Sequence, residues 1–320
     1  MPSNKRIAFC LSEKKFHKLN WQELETVCKN YGFEVFKLNL NESLESQGPF
    51  CVLVHKMTDI IASANLGDIR CGKIIQEVER YISQNPSLVV IDPLPNVRKL
   101  IDRCSCYSII HSTNLSAHNV FTPNFCTFRS SDRDSLKQQI KMAKVTYPFI
   151  CKPSLGHGSK AHEMSIIFNE KSLSDIQTPC VAQSFIQHDA VLFKIFVAGE
   201  KHCYVERPSL KNFQASDRDT IYFVSGDVSK SDSKSRLCVL DPEDTLIEKP
   251  KLDDKVIEII ANTLRKAFGM DLLGIDVVID KSTGKYAIID VNAYPGYDGF
   301  PNFFESLLEC ISKRISSDFT

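Results

Sequence analysis

Apolar residues in the first 95 positions occur in short runs that alternate with amphipathic stretches. Helical periodicity is present near 21–31 and 69–82. Four runs are typical of β-strands: 7–11, 34–38, 51–55 and 88–91. Alternation of this kind favours a small parallel α/β unit, which the prolines of DPLP (92–95) would end. We therefore predict a first domain over residues 1–95.

The remaining pattern predicts two further domains, 96–185 and 186–320. The first holds a helix at 97–111 and strands at 149–152, 164–168 and 181–185. An antiparallel pattern begins with a hairpin of strands 191–197 and 202–209. A polar loop at 225–236, a helix at 255–268 that ends at Gly269, and a last helix at 303–315 follow. The expected fold class is therefore mixed α/β (α+β).

Composition limits the function classes. The chain has 320 residues, of which 43% are hydrophobic and 24% charged, as in globular proteins of two or three domains. Its 39 basic and 39 acidic residues cancel, so no overall field attracts nucleic acid or a membrane surface. An anionic ligand would need a local cluster of cations that the fold assembles.

The cysteines and the N-terminus indicate a reducing compartment. Twelve cysteines are scattered without a C-x-x-C pair, and no apolar run approaches the length of a signal peptide core or a membrane span. Free buried thiols explain this usage better than disulfides or thiolate metal sites. We expect a cytoplasmic protein.

Residues 274–296 combine two apolar strands with opposed carboxylates. A three-residue loop at 282–284 would pair Lys281 with Lys285 and, further along, Asp276 with Asp290. Asn292 is expected on the same face as Asp290, together with residues 286 and 288. Opposed carboxylates repel unless a cation lies between them, and oxygen ligands suit Mg²⁺. The alternative is an edge hairpin with solvated acids.

Lys152 ends an apolar strand and precedes a loop that contains GHG at 156–158. A lysine in this position favours an anion, and a glycine loop can cover phosphate with backbone amides. No P-loop or complete dinucleotide motif is present. The alternative is a lysine whose aliphatic stem lies at the strand end while its ammonium reaches solvent.

Further cations lie along the predicted sheets. Lys194 lies mid-strand among apolar residues, and the hairpin turn is expected at 198–200. If that turn is two or four residues long, Lys194 opposes Val205, with Arg207 on the same side. Two cations on one face favour a phosphate ligand over a solvated face. Lys15 and Lys56 follow parallel strands, where open α/β sheets bind ligands, although surface lysines are common there.

Taken in order, these features resemble the ATP-grasp superfamily and, within it, the inositol-tetrakisphosphate 1-kinase (inositol trisphosphate 5/6-kinase) family. The matching stretches span nearly the whole chain: LSEKK (11–15), VHKMTD (54–59), DPLP (92–95) with DR (102–103), PFICK (148–152), HG (157–158) with HEM (162–164), RPSLKNF (207–213), GID (274–276) and IIDVNAYPGY (288–297). The resemblance implies an N-terminal α/β domain and two ATP-grasp domains that clamp ATP.

The resemblance also implies roles for individual residues. Lys194 and Asp290 would be catalytic. The nucleotide would be bound by Arg103, Lys152, Gln183, Ser209 and Ser225, and Mg²⁺ by Asp276, Asp290 and Asn292. The inositol phosphate would be bound by Lys15, Lys56, His162, Lys194, Arg207, Asn292 and Gly296. The pattern fits poorly at 225–236.

We expect an ATP- and Mg²⁺-dependent, monomeric kinase of inositol tris- and tetrakisphosphates. Phosphoryl transfer requires mainly positioning and charge neutralisation, which the cations and the metal would supply. One alternative is an ATP-grasp ligase that makes an acyl-phosphate from a carboxylate. The other is a nucleotide-binding regulator without turnover.

Overall fold

The computed structural model describes residues 5–158, 160–244 and 251–317, which form three β-sheets covered by helices. The strands in these ranges are β1 (Arg6–Cys10), β2 (Glu34–Lys37), β3 (Val52–His55), β4 (Val89–Ile91), β5 (Val120–Phe121), β6 (Phe125–Phe128), β7 (Phe149–Pro153), β8 (Glu163–Ile167), β9 (Cys180–Ser184), β10 (Val191–Ala198), β11 (Lys201–Pro208), β12 (Ile221–Val224), β13 (Leu272–Ile279) and β14 (Tyr286–Ala293). The α-helices are α1 (Glu13–Lys18), α2 (Trp21–Asn30), α3 (Leu44–Gln47), α4 (Thr58–Asn65), α5 (Ile69–Gln84), α6 (Leu94–Arg98), α7 (Arg103–His111), α8 (Arg133–Met142), α9 (Ser225–Val228), α10 (Asp254–Phe268) and α11 (Phe303–Ser317). The predicted mixed α/β class is confirmed.

The N-terminal sheet is parallel, as its alternating pattern predicted. Its order is β2-β1-β3-β4, and the two central strands are almost entirely buried. Helix α1 follows β1 and carries Lys15, whereas Lys56 comes directly after β3. Because carboxyl ends of parallel strands share one edge, both lysines lie on the same side of this sheet.

The central sheet is antiparallel and has the order β12-β8-β7-β9-β6. Its edge strand β12 comes from beyond the predicted boundary at 185. Conversely, β5 comes from inside the predicted middle domain but pairs with β14 of the C-terminal sheet. The division into 1–95, 96–185 and 186–320 stays a prediction. Each of the two later sheets contains one strand from the other side of the predicted boundary between residues 185 and 186.

The C-terminal sheet has the order β11-β10-β13-β14-β5. Its hairpin β10–β11 turns through Gly199 and Glu200, with Ala198 paired to Lys201, so the turn is one residue shorter than the sequence suggested. Gly199 adopts a left-handed φ of 60°, which this tight turn requires. This register places Lys194 opposite Val205, as predicted.

Two predicted elements differ in the structure. The helix expected at 97–111 is divided into α6 and α7, because the Asp102 carboxylate accepts the Ser105 N–H at 2.7 Å and begins a new helix. The polar stretch 225–236, expected to be a loop, starts with the short helix α9, in which Val228 is buried. Helix α10 ends at Gly269 as predicted, with a left-handed φ of 65°.

The first and last sheets are joined by a buried carboxylate. Asp92, at the end of β4, accepts the backbone N–H groups of Asp271 at 2.6 Å and Leu272 at 3.1 Å. Residues of both sheets also belong to one hydrophobic core, which includes Leu53 of β3 and Leu273 of β13. These contacts hold the N-terminal lysines over the C-terminal sheet.

Candidate active site

One cavity of about 480 Å³ collects almost all of the predicted site residues. It lies between the central and C-terminal sheets, and Lys56 reaches its lining from the N-terminal domain. Its lining includes Lys56, Arg103, Lys152, His162, Gln183, Lys194, Arg207, Ser209, Ser225, Asp276, Asp290, Asn292 and Gly296. Their individual roles remain predictions, but the structure places these residues around one space.

Lys15 does not line this cavity, but it lies beside it. Its ammonium donates a hydrogen bond to the carbonyl of Pro295, a lining residue, and lies 4.5 Å from the centre of the Tyr294 ring. Burial, followed by the positive charge of Lys56, lowers the pKa of Lys15 to about 7. Lys15 is therefore close to the cations of the cavity and senses their charge.

Asp276 and Asp290 are directly opposite each other, as predicted, but the strands reach this pairing by a different route. The Asp280 N–H bonds to the Lys285 carbonyl, so the loop has four residues, 281–284, rather than three. A β-bulge then shifts the register between Asp276 and Val277 and restores the pairing. The longer loop and the bulge shift the register by one residue in opposite directions, so the predicted pairing of the two carboxylates is kept.

The bulge also changes which residues share a face of β14. Tyr286 and Ile288 pack in the hydrophobic core, whereas Asp290 and Asn292 line the cavity. The prediction that all four lie on one face was wrong, because an extra residue reverses the alternation of side chains beyond it. The result still brings the carboxylates and the amide to the same cavity.

The opposed carboxylates form an acidic pair in which one member is strongly buried. Burial raises the pKa of Asp276, and the charge of Asp290 raises it further, whereas Lys194 opposes the shift. Oδ1 of Asp276 lies 3.1 Å from Nζ of Lys194, and it forms no aligned hydrogen bond with any described residue. Oδ2 of Asp290 lies 3.8 Å from Arg103.

This donor set fits a hard divalent cation with an incomplete protein shell. Two carboxylates and the Asn292 amide supply oxygen ligands, and no group of three or more His, Cys, Asp or Glu side chains suited to a metal occurs among the described residues. Mg²⁺ typically takes one or two carboxylates and completes its octahedron with water and substrate phosphate. The acidic pair therefore suits Mg²⁺ carried together with a phosphate ligand.

The two cations expected to repel each other on the C-terminal sheet both have partners in the protein. Lys194 pairs with Asp276 across the strands, and the Arg207 guanidinium donates to the carbonyl of Asp298 at 2.8 Å. The charge of Lys194 is thus balanced within the protein, and a phosphate ligand at these two cations stays a prediction. Lys194 instead neutralises the carboxylate that a metal would use.

Lys152 is buried, and its ammonium does not reach solvent. Nζ donates to the Ile289 carbonyl at 2.7 Å, to Oε1 of Gln183 at 2.8 Å and to the Tyr107 hydroxyl at 3.0 Å. Burial lowers its pKa to about 8, although the charge of Asp290 opposes the shift. Because three N–H groups already have acceptors, a phosphate oxygen must replace one of them.

Arg103 holds the glycine loop in place. Its guanidinium donates to the carbonyls of Pro153 at 2.7 Å, Leu155 at 3.1 Å and Ala161 at 3.2 Å. The loop also bonds back to the segment before α7 through the Gly156 N–H and the Ile101 carbonyl, at 2.8 Å. Arg103 is thus a buried cation that lines the cavity and shapes the loop, whose own residues line a neighbouring cavity of about 780 Å³.

The amide of Gln183 has a fixed orientation. Its Oε1 faces Lys152, since an ammonium can only donate, and its buried Nε2 has no acceptor among the described residues. A buried donor without a partner is costly unless a ligand supplies an acceptor. This nitrogen therefore suits an acceptor atom of a bound molecule.

Three residues near the predicted set were missed by the sequence. Tyr107 holds Lys152, and His188 bonds to Ser209. Asp298 lines the cavity near Gly296, and its negative charge partly offsets the lowering of the Lys15 pKa. Tyr107 lies in an unremarkable helix and His188 is an isolated histidine in a connector. Of the three, only Asp298 could have been found from the sequence, because it lies two residues after the glycine of the AYPG stretch.

The sequence comparisons identify the family. The profile of the inositol 1,3,4-trisphosphate 5/6-kinase ATP-grasp domain matches residues 114–313, and the profile of the pre-ATP-grasp domain of the same kinases matches residues 6–97. The chain belongs to this kinase family. The resemblance predicted from its motifs is therefore confirmed, and so is the assignment to the phosphotransferases.

Curated relatives agree over nearly the whole chain. The inositol-tetrakisphosphate 1-kinase of Danio rerio is 43% identical over 97% of this kinase and 79% of the relative. That of Xenopus laevis is 44% identical over 96% of this kinase and 78% of the relative. A plant relative, inositol-tetrakisphosphate 1-kinase 3 of Arabidopsis thaliana, is 27% identical over 93% of this kinase and 81% of the relative.

Solved structures confirm the ATP-grasp fold. D-cycloserine synthetase DcsG superposes with a TM-score of 0.64 at 11% identity, covering 97% of this kinase and 99% of that chain. The ATP-grasp ligase PsnB gives a TM-score of 0.59 at 12% identity, covering 98% and 99%. At such low identity these similarities concern the fold alone. None of the helices described for this kinase is long and apolar enough to cross a bilayer.

Proposed function

We propose that this kinase uses ATP and Mg²⁺ to phosphorylate a ring hydroxyl of inositol tris- and tetrakisphosphates. The observation that carries the proposal is a group of cations in and beside the cavity that holds the acidic pair: Lys56 and Lys194 line it, and Lys15 lies next to it. Burial lowers the pKa values of both Lys15 and Lys56. The positive charge of Lys56 lowers the pKa of Lys15 further, and the positive charge of Lys194 lowers the pKa of Lys56 further. Cations held this close favour a ligand with several phosphates.

The nucleotide end of the cavity would hold the triphosphate near Lys152 and Arg103. The Mg²⁺ ion, bound by Asp276, Asp290 and Asn292, would neutralise charge on the β- and γ-phosphates. Lys152 offers a buried ammonium, and the Arg103 guanidinium, which bonds to the Pro153 carbonyl, would add a second buried positive charge beside the phosphates. Gln183, Ser209 and Ser225 would contact the nucleoside.

Lys194 would act at the point of transfer. Its ammonium lies 3.1 Å from Oδ1 of Asp276, and a metal bound to that carboxylate would compete with this pairing. The released cation would then face the phosphoryl group between nucleotide and acceptor, where negative charge spreads over the equatorial oxygens. Lys15, Lys56, His162, Arg207 and Gly296 would orient the acceptor.

The ligase alternative explains the nucleotide residues but not the lysines. The structural neighbours DcsG and PsnB are described as a synthetase and a ligase, and they share only the fold. A carboxylate and an amine would not need lysines from the N-terminal domain in addition to Lys194 and Arg207. A cytoplasmic and monomeric enzyme stays part of the proposal; the twelve free cysteines favour a reducing compartment.

ATP consumption with a panel of acceptors tests the proposal. Consumption should depend on an inositol tris- or tetrakisphosphate and on Mg²⁺, and it should not be supported by amino acids or peptides. Consumption supported by amino acids or peptides would favour the ligase. Binding of ATP without consumption in any mixture would favour the regulator.

Acceptor binding should be coupled to protonation of Lys15. Because the pKa of Lys15 in the enzyme without acceptor is about 7, its amine is mainly neutral above that pH. A phosphate bound nearby should raise this pKa again. The enzyme should therefore take up a proton on binding at pH 8. Acceptor affinity should fall by up to about tenfold per pH unit above 7.

Calorimetry in two buffers of different ionisation enthalpy measures this uptake. Lys15→Met should remove the part of the uptake that comes from Lys15, while titration of the ligand phosphates remains the same in both proteins. Equal proton uptake by the two proteins would contradict the placement of Lys15 at the acceptor site.

A further inference from the structure

The connector between β9 and β10 makes a rigid turn at the nucleotide end of the cavity. Asp189 and Ala190 both have left-handed backbone conformations, with φ values of 52° and 60°. The buried Asn212 holds the turn, since its Oδ1 accepts the N–H groups of His188 at 3.1 Å and Asp189 at 3.0 Å. Its Nδ2 donates to Oδ1 of Asp189 at 2.6 Å. The backbone that carries His188 is thus fixed by side-chain bonds.

The partners of the His188 ring decide its tautomer. Nδ1 lies 2.5 Å from the carbonyl of Ile186, which can only accept, so Nδ1 carries the proton. Burial lowers the pKa of His188 to about 4, which keeps the ring neutral at physiological pH. Nε2 therefore has no proton and serves as an acceptor.

This tautomer determines the direction of the next hydrogen bond. Oγ of Ser209 lies 2.7 Å from Nε2 of His188. Since Nε2 accepts, the single hydroxyl proton of Ser209 points at the ring. Ser209 lines the cavity and is only 7% exposed, so it offers a ligand lone pairs and no proton.

We propose that His188 is a positioning residue that fixes Ser209 as a hydrogen-bond acceptor for a donor group of the nucleotide. Such a donor is either a ribose hydroxyl or the exocyclic amine of adenine. The inference rests on the proposed function, because it takes ATP as the occupant of this part of the cavity. It adds the chemical polarity of the contact and names the residue that imposes it.

A specificity follows from this polarity. A buried acceptor aimed at a ligand rejects an analogue that lacks the matching donor, because the acceptor is then left without a partner. Without His188 the serine proton can turn toward the cavity, and the serine can then serve as either donor or acceptor. Discrimination should therefore depend on both residues and not on the serine alone.

Binding of four nucleotides tests the proposal by calorimetry in the presence of Mg²⁺ and without acceptor. The ligands are ATP, 2′-deoxyATP, 3′-deoxyATP and purine riboside triphosphate, each analogue lacking one donor. The wild-type enzyme should bind one analogue about three- to tenfold more weakly than ATP, which identifies the donor. Ser209→Ala and His188→Phe should both lose that preference. His188→Gln, which keeps an acceptor oxygen near Ser209, should retain part of it.

The outcomes distinguish a failure of the role proposed for His188 from a failure of the proposed kinase function. Equal binding of all four nucleotides by the wild type, or a preference that survives in Ser209→Ala or in a folded His188→Phe, would overturn the role of His188. If thermal unfolding shows that His188→Phe does not fold, His188→Gln decides the question, since an undiminished wild-type preference in that variant would overturn the role of the ring. Absence of ATP binding to the wild type would instead contradict the proposed function, and the role of His188 with it.

Discussion

Asp290→Asn should lower turnover by about a hundredfold or more, because it removes one carboxylate of the pair that binds the metal. Two opposing effects bear on stability. The substitution relieves repulsion with Asp276, but it also removes the carboxylate nearest to the buried cations Arg103 and Lys152. Asp276 already has Lys194 as a partner, so we expect the second effect to prevail and the melting temperature to fall slightly. Steady-state kinetics over a range of Mg²⁺ concentrations measures the loss of turnover, and thermal unfolding measures the change in melting temperature.

Asp280→Asn is the matched control, since it makes the same chemical change in the same hairpin. The Asp280 carboxylate accepts the Ser282 N–H at 2.9 Å and the Thr283 hydroxyl at 2.7 Å, and it does not line the cavity. This variant should be less stable and still turn over. Wild-type turnover of Asp290→Asn at limiting Mg²⁺ would show that the acidic pair is not the metal site.

Lys56→Met and Lys152→Met should impair different substrates. Lys56 approaches the cavity from the N-terminal domain, whereas Lys152 lies between the central and C-terminal sheets. Lys56→Met should raise the KM for the inositol phosphate and leave ATP affinity close to unchanged, and Lys152→Met should weaken ATP. A charge-assisted contact is worth about 1.5–3 kcal/mol, so each effect should be about tenfold or more.

Calorimetry of ATP binding and acceptor kinetics on both variants separate the two effects. Lys73→Met is the control, because Lys73 is exposed on helix α5 of the same N-terminal domain. It should change neither parameter. Loss of ATP affinity in Lys56→Met with acceptor affinity retained would remove the N-terminal domain from the acceptor site and weaken the case against a ligase.

The sequence predicted the elements whose pattern is local. Alternation in the first 95 residues gave the parallel sheet, and Gly269 marked the end of α10. The β-bulge in β14 was not predictable, because one extra residue in an apolar strand leaves no pattern of its own. The pairing of Asp276 with Asp290 was reached only because the longer loop offsets the bulge.

The partners of the site residues depend on contacts between distant segments. Strand β12 has only four residues, and it forms because β8 offers an edge. Lys152 finds its acceptors on α7, β9 and β14, and Lys194 finds Asp276 on a strand more than 80 positions away. Hydrophobic periodicity places such residues on a face, but it does not say which polar group lies opposite.

The fate of the γ-phosphate tests the central claim most directly. The enzyme would be given ATP labelled with ¹⁸O on the γ-phosphate, together with an inositol trisphosphate, and the products analysed by ³¹P NMR and mass spectrometry. We predict that the label is found in a new phosphate ester on the ring, with one ester formed for each ADP. Release of the label as inorganic phosphate, with the inositol phosphate unchanged, would contradict the assignment of this cavity to phosphoryl transfer between ATP and an inositol hydroxyl.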